Sequence, residues 1–354
     1  MKPGAAQPRG GPVRVDFHGV TTPPDVFAGW AREVEEAGYD SMWMSETRHD
    51  PFIGLTAAAL RTERVAIRTG LAVVFARNPM TTAMLSNDLQ LVSGGRFSLG
   101  IGSQLKTHIT RRFSMPWDKP AARMREYVRA LHAIWDCFET GGRLRFRGEF
   151  YRHTVMSPFF NPGPNPYGRP SILVAGVGPL MTELAGELGD GFLAHIISTR
   201  RLLEEQTLPA LRAAREKAGK SMEGYELHAT PIVATGVTEE QLRAEVERAK
   251  VEIAYYASIP SYAPVLELHG LEDLRDELHR LAHLGRGDEV VDVIDDDVVE
   301  TFAIVGEPAV AAKKIHERFD GIATSLAFFR QQGGTPEAWR PLYEELRKLQ
   351  ATAG

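Results

Sequence analysis

Glu46 and His49 stand three residues apart, directly after the short apolar run Ser41 to Met44. A carboxylate and an imidazole at that distance are the groups a proton-transfer site uses when one of them must titrate near neutral pH. The same spacing suits a turn in which Glu46 caps a backbone amide while His49 and Asp50 lead into the loop before Pro51. Spacing alone leaves both readings open. Two more imidazoles, His18 and His195, also follow apolar runs, and Asp16 precedes His18 by two residues. A metal centre would need three or more ligands, such as His18, Glu46 and His49 with Asp16 behind them. No motif of established metal spacing is present, and no metal is expected. The run Asp295, Asp296, Asp297 reads as a solvated acidic loop rather than a cation cage.

Glycines mark a second set of candidates. Ala175-Gly176-Val177-Gly178-Pro179 lies between an apolar run and an amphipathic one, so it reads as a strand-to-helix turn. Backbone amides there approach an anion closely and the helix N-terminus adds partial positive charge, which would hold a phosphate; a plain tight turn fits equally well. It is no dinucleotide fingerprint, because the third glycine of GxGxxG is missing. Gly100-Ile101-Gly102, followed by Ser103 and Gln104, is similar, permitting either close ligand approach or only a bulge. Arg111 and Arg112 beyond it would meet an anionic tail or simply face solvent.

These residues meet only if the chain places them at one end of a common scaffold. From residue 13, apolar runs alternate with amphipathic segments: strands at Val13 to Phe17, Ser41 to Met44, Val65 to Val74, Phe97 to Ile101, Ile172 to Ala175, Gly191 to Ile197, His228 to Ala234 and Thr324 to Phe329. Helices lie between them, the clearest being Ala121 to Phe138, whose Met124, Tyr127, Val128, Leu131, Ile134, Trp135 and Phe138 form one apolar stripe. Residues 239 to 285 also read as helical, with Leu242, Val246, Ile253 and Tyr256 on one stripe, and Pro308 suits a first helical turn. Eight strands separated by helices predict a single (β/α)8 TIM barrel over residues 13–354, with insertions at about 104–170 and 255–305. In such a barrel the βα loops at the C-terminal face carry function, and Asp16, His18, Glu46, His49, Gly102 to His108, Ala175 to Pro179 and His195 all fall there.

Composition narrows the function classes. With 41 Lys plus Arg against 46 Asp plus Glu in 354 residues, the net charge of −5 argues against phosphate-neutralising nucleic-acid binding. A single cysteine, Cys137, excludes an internal disulfide and any multi-cysteine metal site, which suits a reducing cytoplasm. No stretch approaches a membrane span, and MKPGAAQPRGGP has no apolar signal core; residues 1–12 are expected to be a disordered tail.

In combination the residues resemble a known family. AGYDSMWMSE (37–46), RNPMTTAMLSNDLQLVSGGRFSLGIGS (77–103), MREYV (124–128), FRGEFY (146–151) and VAGVGPLMTELAGELGDGF (174–192) resemble, in the same order, the luciferase-like flavin and deazaflavin oxidoreductases. HDP after the second strand, MPWDKP (115–120) and PFFNPGP (158–164) look closest to the coenzyme F420 branch. The resemblance implies a flavin or deazaflavin across the C-terminal mouth. Its ring would lean on a third-strand bulge within Gly70, Leu71, Ala72 and Val73, often with a non-prolyl cis peptide. Its phosphate would be held by Gly176, Val177 and Gly178 after the fifth strand. Ala175, Gly102, Ser103, Gln104 and His195 complete the expected cofactor contacts. It implies Glu46 or His49 as the proton-transfer group, with His18 or His195 positioning substrate. Sugar-phosphate members often carry an acid after the fourth strand, where Ser103, Gln104 and Leu105 stand here, so that reaction is not expected. The expected activity is therefore F420-dependent hydride transfer to or from an unidentified small organic substrate. A monooxygenase using FMN reduced by a separate reductase is the alternative, and a non-catalytic flavin-binding barrel the second. A homodimer is expected from the family.

Overall fold

A computed structural model describes residues 13–353, apart from 285, 287, 288, 290 and 332. The expected tail at 1–12 lies outside the described residues. Eight parallel strands close on themselves: β1 (Arg14–Gly19), β2 (Ser41–Met44), β3 (Ala66–Thr69), β4 (Phe97–Gly102), β5 (Ser171–Gly176), β6 (Gly191–Ala194), β7 (Glu226–Ala229) and β8 (Ser325–Ala327). Each pairs with the next, from Phe17 opposite Met42 round to His228 opposite Ser325, and β8 returns to β1 with Leu326 opposite Val15. The (β/α)8 barrel read from the alternation is the fold observed.

The helices between strands start where the sequence supplies a rigid first turn. Pro51, Pro79, Pro120, Pro179 and Pro308 each open one, where the missing N–H would be unpaired in any case. Asp50 and Asn78 cap two of them by accepting from the amides of Phe52 and Met80 at 2.9 and 2.8 Å, about 1 kcal/mol each. The stripe of helix Pro120–Thr140 is buried from Met124 to Phe138. The hairpin Phe146–Arg147 with Arg152–His153 follows it, and the Glu126 carboxylate accepts from the amides of Glu149, Phe150 and Tyr151 at its turn.

Three expectations change. The third strand, read as continuous from Val65 to Val74, breaks after Thr69 at a cis Gly70–Leu71 peptide and resumes as Ala72–Val73 beside β4. The seventh, read through to Ala234, stops at Ala229, because Pro231 has no amide for the ladder; Ile232–Ala234 then pairs with Ala303–Val305, a strand the sequence reading did not include. The acidic run is a helix start rather than a loop: Asp295 accepts from the Val298 amide at 2.8 Å and caps Asp296–Phe302. That helix, with Glu239–Ala257, Ala263–Leu268 and Glu272–His283, forms a second apolar cluster around Ile232, Ile253 and Phe302 over the β6–β8 side of the barrel.

Candidate active site

The barrel interior is a packed floor beneath the mouth. Trp43 of β2 fills it with Leu173 and Leu193; its ring stacks on His228 at 4.0 Å, and the Arg68 guanidinium lies over it at 5.2 Å. The Trp43 indole N–H donates to Asp16 at 2.9 Å and to Ser41 at 2.7 Å. Below it, Arg14 and Arg68 each reach one Glu226 oxygen at 2.6 Å. Two guanidinium charges thus face two carboxylates, the balance that burial of ions requires. Burial raises the Asp16 and Glu226 carboxyls, but His228 and the two arginines outweigh it: Asp16 sits well below the usual carboxylate range and Glu226 falls to about 2.

On that floor lies the bulge that ends β3. A Cβ at Gly70 would come within 2.7 Å of the Trp43 ring, so only glycine lets the backbone rest there. Glu46 clasps the far side. Its amide donates to Leu71 O at 3.0 Å, and its carboxylate accepts from the Val73 amide at 2.8 Å. Arg77 closes the clasp, with Nη2 at 2.9 Å from Glu46 and 2.8 Å from Asp50, and Nε donating to Glu46 at 3.1 Å. Both lone-pair edges of the Glu46 carboxylate are therefore engaged by the protein. His49 stands beside it, half-buried in the loop between Glu46 and the helix starting at Pro51.

His18 ends β1 on the same rim. Its Nε2 lies 2.8 Å from Ser45 Oγ and 3.2 Å from Gly70 O, while Ser45 Oγ donates to Gly70 O at 2.6 Å. Since the Ser45 proton goes to the carbonyl, the network assigns the imidazole proton to Nε2. Nδ1 is then a buried lone pair with no partner among the described residues. Burial, helped by the nearby His228, lowers the His18 pKa to about 4, so the ring is neutral at pH 7.

The rest of the mouth divides into two arcs. From β3 to β5 the strand ends are glycines: Gly70, Gly102 and Gly176, where a Cβ would strike Trp43, Leu71 and Met181 respectively at 2.6 to 2.8 Å. Ser103 and Gln104 follow Gly102, with Gln104 in the left-handed region at φ 61°. Ala175 and Gly176 end β5, Val177 makes the bend, and Gly178 leads into helix Pro179–Leu188. A Cβ at Gly178 would meet nothing within 4 Å, so the helix N-terminus opens onto free space. Bare backbone, a bulge and an open helix start fit a flat anionic cofactor with a phosphate at that end.

From β6 round to β1 the mouth is instead lined with rings. His195, just past β6, stacks on Tyr262 at 4.3 Å and meets Tyr256 edge-on at 4.9 Å. Tyr256 meets Phe329 beyond β8 at 6.4 Å, and Phe329 meets His18 at 6.4 Å. Burial lowers the His195 pKa to about 3. Phe52 and Phe75 are buried, with Phe75 edge-on to Trp117 at 5.6 Å.

The structure thus brings His18, Glu46, His49 and Gly70 to Val73 to one rim, sets Gly102 to Gln104 and Ala175 to Gly178 beside it, and places His195 across the mouth. Arg112 turns away to donate to Thr47 O. Ser45 and Arg77 lie inside the stretches that carry the resemblance but were not singled out, because they act through contacts 25 to 31 residues away. Sequence reasoning missed Phe329, Tyr256 and Tyr262 as mouth residues as well. No group of three or more metal-ligating side chains occurs among the described residues.

The sequence profile described as luciferase-like monooxygenase matches residues 10–325. An uncharacterised protein of Mycobacterium tuberculosis is 44% identical over 289 residues, covering 82% of this chain and 85% of its own. The 5,10-methylenetetrahydromethanopterin reductase of Archaeoglobus fulgidus is 27% identical over 295 residues, covering 81% and 84%. Among solved structures, the coenzyme F420 dependent tetrahydromethanopterin reductase from Methanopyrus kandleri has the same fold, with a TM-score of 0.76 at 20% identity over 96% of this chain and 99% of that one.

Proposed function

Because the chain belongs to the luciferase-like monooxygenase family, we propose that it is an oxidoreductase that moves a hydride between the deazaflavin coenzyme F420 and a small organic substrate. The observation that carries this reading is the pairing, on one rim, of a bare backbone arc with a neutral histidine whose Nδ1 is unpartnered. The similar proteins whose names specify coenzyme F420 support F420 over FMN.

Bound F420 supplies the hydride acceptor or donor; the protein supplies orientation and the proton. The cofactor ring would rest against Gly70 to Val73, with Gly102, Ser103 and Gln104 beside it, and Ala175 to Gly178 would hold the phosphate. Glu46 holds the bulge through Val73 and Arg77 rather than carrying the proton, and His49 borders the entrance. When an alcohol is oxidised, the C–H hydride would go to F420 while His18 takes the O–H proton on Nδ1, and in the reverse direction it returns that proton to the carbonyl oxygen; Ser45 and Gly70 O keep Nε2 protonated and the ring fixed. In this reading the proton is carried by His18 rather than by Glu46 or His49, the other two residues proposed for it from the sequence.

We further assign the enzyme to the cytoplasm, as a homodimer supplied with reduced cofactor by a separate reductase. No helix among the described residues is long and apolar enough to cross a membrane. The dimer face we propose is formed by helices Pro51–Ala59 and Pro79–Val92. Anaerobic incubation with F420 and candidate alcohols or carbonyl compounds tests the reading. Change in cofactor absorbance without oxygen is expected; turnover only with reduced FMN and oxygen would replace it with the monooxygenase reading.

A further inference from the structure

The aromatic arc faces the glycine arc across the mouth, and its chemistry is different in kind. Five rings, His18, Phe329, Tyr256, Tyr262 and His195, run edge to face and face to face from the end of β1 to the end of β6 at centroid separations of 4.3 to 6.4 Å. None of the five carries a charge near pH 7: burial holds both imidazoles neutral and pushes the two phenols up, Tyr262 to about 12. The cations next to this wall are already committed. Arg330 pairs with Glu245 at 2.7 Å, and Arg248 pairs with Glu245 and Glu252 at 2.7 and 2.8 Å. Arg48, Lys106 and Arg111 belong instead to the loops after β2 and β4 and form no ion pair among the described residues. An anion would thus find counter-charges on the far side of the mouth, where the cofactor is placed.

Polar recognition on the aromatic side is limited to hydroxyls. The Tyr256 and Tyr262 phenols have no hydrogen-bond partner among the described residues, although both side chains are half-buried. Neither hydroxyl is among the buried polar atoms left without a partner, so both oxygens reach the open mouth, where a ligand oxygen would take the place of water. The fixed ring edges and faces favour a flat apolar body.

Resting on the oxidoreductase reading above, we propose that the substrate is a neutral molecule with an aromatic or similarly flat apolar body, and that Tyr256 and Tyr262 receive its carbonyl or hydroxyl oxygen. The wall excludes carboxylated and phosphorylated substrates, because desolvating an anion against neutral rings leaves it without a counter-charge.

The test is a matched pair of probes, acetophenone and 4-acetylbenzoate, which share the ring and ketone and differ by one carboxylate. Binding is read by saturation-transfer NMR on the full chain, with and without F420. Acetophenone is expected to bind, and 4-acetylbenzoate at least tenfold more weakly. Tyr256→Phe combined with Tyr262→Phe, which removes the hydroxyls alone, is expected to weaken acetophenone several-fold and leave ethylbenzene, which has no oxygen, unchanged. Equal or tighter binding of 4-acetylbenzoate would overturn the proposal, as would acetophenone binding that the double variant does not change. Far-ultraviolet circular dichroism of the variant guards against misfolding. Failure of F420 to bind would count against the function proposed above, while the probe pair measured on the cofactor-free chain still decides the substrate class.

Discussion

In the proposed reading His18 concentrates the chemistry of the site in one atom. Its Nε2 is fixed by Ser45 and Gly70, which leaves Nδ1 as the ring nitrogen without a partner among the described residues. His18→Asn, which keeps a polar group of similar reach, is expected to lower kcat by about a hundredfold or more, the usual share of a positioned acid–base group, while F420 affinity changes little. Steady-state kinetics beside a cofactor titration checks this. The pH profile adds a sharper signature. With its pKa lowered from 6.5 to about 4, His18 stays neutral through the range in which a free imidazole protonates. The acid limb of kcat should therefore fall near pH 4 and not near 6.5. The stability sign follows from the same shift. The unfolded chain takes up a proton below 6.5 that the folded chain refuses until about 4, so stability is lost as pH falls across that window. None of this was legible in the sequence, where His18 was one of three imidazoles near strand ends; the distinction depends on Ser45 and a carbonyl 52 residues downstream.

At the scale of elements, the bulge after β3 and the closure of the barrel are the features on which the site depends. Glu46 and Arg77 form a largely buried pair, with side chains 10 and 13% exposed. Removing the charge from one partner leaves the other uncompensated, so Glu46→Gln should lower the unfolding free energy by about 3 kcal/mol. Urea denaturation measures it. Loss of turnover far beyond what that destabilisation explains would point to Glu46 as the proton carrier instead. Closure depends on Gly100, where a Cβ would lie 2.0 Å from the Thr69 carbonyl oxygen. Gly100→Ala should therefore be severely destabilised in thermal melts, and Gly178→Ala, with open space around it, should melt like the parent. The strands were legible because apolar runs between amphipathic segments leave few alternatives to a parallel sheet. Their ends were not. Pro231 gave a signal for the break in the seventh strand that the apolar run Ile232 to Ala234 masked, and Ala303–Val305 acquires strand geometry only from a partner about 70 residues upstream. Tyr256 read as one more position on a helix stripe, because periodicity identifies the inward face without saying whether it meets core or mouth.

For the whole molecule, one outer face stands apart. Helix Pro51–Ala59 is apolar on nearly every side, a pattern that belongs in an interior. Ile53, Leu60, Met84 and Leu91 are 63, 72, 51 and 49% exposed on it and its neighbour. With Val26 and Val92 they leave on the order of 500 Å² of apolar surface to solvent, at the upper end for a monomer. Leu60→Glu with Met84→Glu is expected to shift sedimentation from dimer to monomer while F420 binding persists. The net charge of −5 acts against an anionic cofactor at long range, so in the proposed reading affinity comes from the backbone amides and helix start at Gly176 to Gly178 together with Arg48, Lys106 and Arg111. The most direct measurement of the central claim is a side-by-side fluorescence titration of the parent chain and Gly176→Asp with F420 and with FMN. The account predicts tighter binding of F420 than of FMN by the parent chain, and loss of F420 binding when the carboxylate replaces the glycine hydrogen. Preference for FMN, or F420 affinity unchanged in Gly176→Asp, would contradict it.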